Sequence, residues 1–242
     1  MTKCIVRRTG ASFAALAIGA FAAHAGAQEK IDLATWDQAS LYDGISLEDM
    51  LGEDVVDPNG EEIGDVRNIL VTPDGRISRI IVEAGGFLDI GDTHLAVPWD
   101  QLQFDDDAVV VPISEDSVDE FDLFGKNYPE IAQNEWKAFD LLSDTVYLED
   151  GKVYGIVDDI IADTDGRIQA ILVQRGGTYG TGEYAYPYSG YYGFRYPMGY
   201  GVAPGSEGEV AAEDVRAPGY HLPYAESEVM ELGPFDTSRF KG

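Results

Sequence analysis

The chain has 242 residues, 16 basic and 44 acidic, for a formal charge of −28. A surface this acidic repels nucleic acid and anionic lipid at long range. The acids are spread along the whole length, the pattern of a solvated surface rather than an acidic tail.

Residues 1–27 read as a secretory leader. Lys3, Arg7 and Arg8 form a basic start, Ala11 to Ala23 is apolar, and Ala25-Gly26-Ala27 or Ala23-His24-Ala25 supplies a small-residue cleavage site. An uncleaved membrane anchor is the alternative, but the apolar run falls short of the roughly 20 residues a spanning helix needs. Cleavage takes away three basic residues and the single cysteine, Cys4. The mature charge moves from −28 to −31, and thiol catalysis, disulfides and thiolate ligands are excluded. The expected location is the periplasm of a Gram-negative bacterium, without stable membrane insertion.

Residues 28–49 read as a leading arm or short helix with Trp36, Leu41, Tyr42 and Leu47 as packing residues. Val55-Val56, Ile63 to Val71, Ile77 to Val82, Leu95 to Trp99 and Val109 to Val111 then read as short strands. Asp57-Pro58-Asn59-Gly60 and Thr72-Pro73-Asp74-Gly75 supply turns between them. Five short strands over residues 50–112 predict a small barrel. Residues 113–140 begin acidic, with Ser114-Glu115-Asp116 as a helix start. They continue through Phe121, Leu123, Phe124 and Trp136, which predicts packing against a barrel.

The pattern then repeats. Gly64, Asp74-Gly75-Arg76-Ile77 and Gly85-Gly86 return as Gly155, Asp165-Gly166-Arg167-Ile168 and Gly176-Gly177, each 91 residues later (155 against 64). Residues 141–235 are therefore a second barrel, with 236–242 as a tail. Beyond Gly177 the copies diverge, and Pro223-Tyr224 is matched to Pro98-Trp99. That match places an insertion at about 178–211. Eight of the 14 tyrosines lie in Tyr179 to Tyr200 among glycines and prolines, which reads as a loop.

The span Leu51 to Val66, with Gly85-Gly86-Phe87-Leu88-Asp89-Ile90-Gly91-Asp92 and Val97-Pro98-Trp99-Asp100-Gln101-Leu102, resembles the PRC-barrel family. That family includes the cytoplasmic domain of the photosynthetic reaction-centre H subunit and the C-terminal half of the ribosome maturation factor RimM. The resemblance implies an all-β chain of two small PRC-type barrels in tandem. Because known members bind proteins, it also implies an interaction module.

Chemistry-bearing motifs are sparse. There is no nucleophile elbow, P-loop or dinucleotide fingerprint, so no enzyme and no cofactor is expected. Asp163-Thr164-Asp165-Gly166 hints at calcium, but Ile161 and Leu172 stand where an EF-hand loop needs ligands, so no metal site is assigned. His94 and His221, each shortly before a Pro-aromatic pair, are either a shared site or two polar residues at strand starts. The binding candidates are Tyr184, Tyr186, Tyr188, Tyr191, Tyr192, Phe194, Arg195 and Tyr196 in the loop, together with Trp99. Tyrosine gives large contact area and a hydroxyl at low entropy cost; a low-complexity tract without a partner is the competing reading. The expected function is a non-catalytic periplasmic scaffold that binds another envelope protein and no nucleic acid. The alternatives are an auxiliary of a membrane electron-transfer or photosynthetic complex, and a ligand or cation sensor.

Overall fold

A computed structural model describes residues 30–72, 74–84, 93–105, 108–113, 129–132, 135–188, 194–195 and 219–240. Residues 1–27, the expected helix start at Ser114-Glu115-Asp116, and Phe121, Leu123 and Phe124 lie outside the described residues.

The first barrel is a curled sheet of β2 (Asp54–Val56), β3 (Glu62–Val71), β4 (Ile77–Ala84), β5 (Thr93–Pro98), β6 (Gln103–Asp105) and β7 (Ala108–Val110), in the order β5-β4-β3-β2-β7-β6. The second is built alike from β9 (Thr145–Tyr147), β10 (Val153–Ala162), β11 (Ile168–Arg175), β12 (Gly182–Pro187), β13 (Phe194–Arg195) and β14 (Gly219–His221), in the order β12-β11-β10-β9-β14-β13. Both carry the same bulge, between Val66 and Asn68 in β3 and between Val157 and Asp159 in β10. A bulge bends its strand, which is how a short sheet curls.

The register locates the divergence of the copies. Arg79 pairs with Pro98, and Ala170, which is 91 residues beyond Arg79, pairs with Pro187. Pro98-Trp99 therefore corresponds to Pro187-Tyr188, not to Pro223-Tyr224. Residues 182–187 are a ladder strand, not loop, because Tyr184, Tyr186 and Tyr188 alternate with residues on the opposite face. The extra residues come later. β6 joins β7 through residues 106–107, whereas residues 196–218 separate β13 from β14.

Each barrel borrows from the other half. β1 (Ile45–Ser46), in the leading arm, pairs with β10: Ile45 with Ala162 and Ser46 with Ile161. β8 (Trp136–Lys137), before the second barrel, pairs with β3: Trp136 with Val71 and Lys137 with Leu70. Each short strand runs into a single helical turn, α1 (Leu47–Met50) or α2 (Ala138–Leu141), whose Leu47, Met50, Ala138 and Leu141 are buried. Buried side chains at matching positions of the two outer faces receive these turns. The Asp159 carboxylate accepts the Glu48 N–H at 2.9 Å, and the Asn68 side-chain carbonyl accepts the Phe139 N–H at 3.5 Å.

The two Asp-Gly hairpin tips also meet. Ile77 N–H donates to the Gly166 carbonyl at 2.7 Å, and Ile168 N–H donates to the Gly75 carbonyl at 2.8 Å. One apolar cluster consequently runs through both barrels, from Val55 and Ile80 to Ile171 and Tyr186. Pairing across the halves joins the two barrel interiors in this cluster, and Leu41, Ile161, Ala170, Leu172, Ala185 and Phe235 form a second one.

The chain ends clasp the second barrel. Tyr42 stacks on Phe235 at 4.7 Å, Arg239 lies 3.9 Å over the Tyr42 ring, and Phe235 N–H bonds the Glu183 carbonyl on the outer edge of β12. α3 (Glu226–Met230) is tied to the arm by Lys30 and Glu228 at 2.7 Å. Among the described residues no helix is long and apolar enough to cross a membrane.

Candidate functional site

Trp99 and Tyr188 are a matched pair at the seam between barrels. Trp99 is 5% exposed, and its ring lies on the backbone of Gly166 in the other barrel's hairpin tip. Its Nε1–H donates to the Thr164 carbonyl at 3.1 Å. Tyr188 covers Gly75 in the same way. Both glycines need to be glycines. Their φ angles are +74° and +75°, and a Cβ would stand 2.5 Å from the Tyr188 ring or 2.6 Å from the Trp99 ring. Phe104 tilts against Trp99 at 5.1 Å and stays partly exposed.

Inside the second barrel, β12 turns Tyr184 and Tyr186 inward around Arg175. The guanidinium lies 3.3 Å from the Tyr184 ring centre and 5.2 Å from that of Tyr154. It donates to the Tyr186 hydroxyl at 3.1 Å and to the Val229 carbonyl of α3. The Tyr154 and Tyr186 hydroxyls bond each other. Arg175 is 5% exposed, and among the described residues no carboxylate forms a salt bridge with it. Two aromatic faces and a carbonyl hold the cation instead. Burial pushes the Tyr154 and Tyr186 phenols up, so both stay protonated and act as hydrogen-bond partners rather than nucleophiles. The cluster fills the barrel and latches α3 to it.

Four of the binding candidates, Tyr184, Tyr186, Tyr188 and Trp99, stand in packed positions and not in a free loop. Tyr186 is fully buried, and Tyr188 and Trp99 are nearly so. Tyr184 is half-buried under Arg175. Burial closes the rings of Tyr186, Tyr188 and Trp99 to a docking partner. Phe194 and Arg195 form β13, paired with Tyr220 and Gly219. Tyr191, Tyr192 and Tyr196 lie outside the described residues. The two-residue alternation of Tyr184, Tyr186 and Tyr188 was the available sequence signal for a strand; the surrounding glycines obscured it.

The histidines do not occupy equivalent places. His94 is on β5, opposite Glu83. His221 is on β14, nearly buried, with its ring stacked on Tyr147 at 4.8 Å. The Asp163 carboxylate accepts Arg167 N–H at 2.8 Å and Gln169 Nε2–H at 2.7 Å, so it braces its own hairpin tip. Among the described residues no three His, Cys, Asp or Glu side chains are grouped to hold a metal ion.

Three features of the structure escaped the sequence reading: Arg175, Asp159 and an apolar outer row formed by Tyr147, Val153 and Ile156. Only Arg175 carried a hint, as a basic residue ending an apolar strand.

The model of the PRC-barrel domain matches residues 43–118 and again residues 134–201, more than half of the chain. No curated protein matches the chain. The second match stops short of β14, which the chain adds after residues 196–218. With two matched segments and two superposable strand orders, the chain belongs to the PRC-barrel family and carries two copies of its domain.

Proposed function

We propose that the protein is a non-catalytic interaction module that works in the periplasm after export and binds another envelope protein. The observation that carries this reading is the filling of the barrels. Tyr154, Tyr186, Tyr220 and Tyr224 are all fully buried, and Arg175 is engaged by its own neighbours. A barrel packed with its own side chains works through its outside. The crossed pairing of β1 with β10 and of β8 with β3 fixes the two outsides relative to each other, which suits a platform. The basic start and small-residue cleavage site of residues 1–27 support export.

The test is lysine-directed crosslinking in intact cells, combined with cell fractionation. The expected result is a leaderless protein in the periplasmic fraction and one discrete crosslinked partner. Folded protein that yields no adduct, or that remains in the cytoplasm, refutes the reading. The truncation used to map the contact must remove residues 196–218 only. A cut through 178–200 would destroy β12 and β13.

A further inference from the structure

The two barrels share one register, so their outer faces can be compared position by position. On the first barrel, Asp54 pairs with Asp65, Asp65 with Glu83, and Val56 with Glu62. Directly paired residues share a face, so these four carboxylates form one acidic patch. Asp54, Glu62 and Asp65 are exposed, and Glu83 pairs with Arg67 at 3.1 Å.

On the second barrel, the same positions 91 residues later hold Thr145, Val153, Ile156 and Gln174. The pairing is the same: Thr145 with Ile156, Ile156 with Gln174, and Tyr147 with Val153. All four charges are gone. Val153 is 61% exposed and Ile156 is 39% exposed, beside half-buried Tyr147. At an outward position that stays wet, a valine or an isoleucine gains at most about 1 kcal/mol from strand propensity and cross-strand pairing, and it leaves apolar surface in water. The fold itself accepts acids there, as the first barrel shows.

We infer that the β9–β10 face of the second barrel docks a partner protein through Tyr147, Val153 and Ile156. The partner's contact segment is apolar and flanked by lysine or arginine. Its apolar part meets the uncharged row. Its basic flanks meet the surrounding surface of a chain whose charge without residues 1–27 is −31. The same charge disfavours a second copy as occupant. This inference rests on the interaction reading above and deepens it.

The experiment places a photo-crosslinking phenylalanine analogue at Tyr147 of the full exported chain and maps the adduct by mass spectrometry. The expected adduct joins a partner peptide with apolar residues beside Lys or Arg. The double variant Val153→Glu/Ile156→Asp is expected to lower its yield roughly tenfold or more, because a docked surface would bury unpaired carboxylates. Glu62→Val/Asp65→Ile on the first barrel leaves the yield unchanged. Should the first double variant fold poorly by circular dichroism, Thr145→Asp/Gln174→Glu makes the same test. Undiminished yield in a folded variant overturns the inference, as does an adduct to a second copy or to residues 196–218. A partner captured by lysine-directed crosslinking but indifferent to these variants leaves the interaction reading standing and removes this face. No capture by either route removes both.

Discussion

Replacing Asp159 with asparagine tests how the halves are joined. Asp159 is 7% exposed and accepts the N–H groups of Glu48, at 2.9 Å from the other half, and of Ile160, at 2.6 Å. Burial dominates, and its carboxyl is pushed up to about 6 from 3.8, despite the hydrogen bonds from Ser46, Glu48 and Ile160 that favour the charged form. The folded value lies above the unfolded one, so folding takes up a proton between those values. Stability from this group is therefore full below pH 3.8, falls as pH rises toward 6, and stays low above it. The interval is worth roughly 3 kcal/mol at about 1.36 kcal/mol per pH unit.

Asparagine keeps the accepting oxygen and removes the charge, and Asn68 already does this work in the first barrel. Neutral hydrogen bonds are weaker than charge-assisted ones, so the expected gain for Asp159→Asn at pH 7 is roughly 1–3 kcal/mol. The gain vanishes near pH 4. Urea unfolding of both proteins from pH 4 to pH 7.5 gives the difference curve, in which the other carboxylates cancel. A difference independent of pH, or a variant less stable at pH 7, would refute the reasoning.

The seam, the insertion and the latch each make a prediction. Trp99→Ala should destabilise the whole chain by about 3–5 kcal/mol in urea, because a buried indole and its bond to Thr164 are lost together. Gly166→Ala should cost about 2 kcal/mol or more, from the left-handed backbone and the displaced Trp99 ring, again read from the urea midpoint. Replacing residues 196–218 with a two-residue turn, the length that joins β6 to β7, should leave the melting temperature within a few degrees. Arg175→Lys should cost about 1–3 kcal/mol and speed hydrogen exchange in Glu226–Met230, since an ammonium cannot both stack on Tyr184 and reach Val229. Unchanged exchange there would mean that α3 is held by something else.

Much of the barrel architecture was legible because tight turns and alternating apolar residues are local. Asp74-Gly75 and Asp165-Gly166 announce hairpin tips on their own. The later part of the second copy misled because the connection before β12 is two residues shorter than the one before β5, which breaks the offset of 91. Pro223-Tyr224 then offered a false match for Pro98-Trp99. The crossed pairing left no local signal at all. β1 and β8 are two residues each, and nothing in Ile45-Ser46 says that it belongs beside Ala162 and Ile161. The outer row of the second barrel was invisible for a related reason: Thr145, Val153 and Ile156 look like ordinary strand residues until their register positions are seen to be carboxylates in the first copy.

The crossed pairing has a consequence for how such a molecule is assembled. Each copy's donor strand pairs with the other copy's acceptor strand and not with its own. The simplest complete object built from one repeat is therefore a symmetrical pair of chains. Joining two repeats through residues 113–135 turns that bimolecular encounter into an internal one, set by tether length instead of by concentration. The molecule then stays whole on dilution. Its two surfaces are also released from having to be identical, so one can keep its carboxylates while the other loses them.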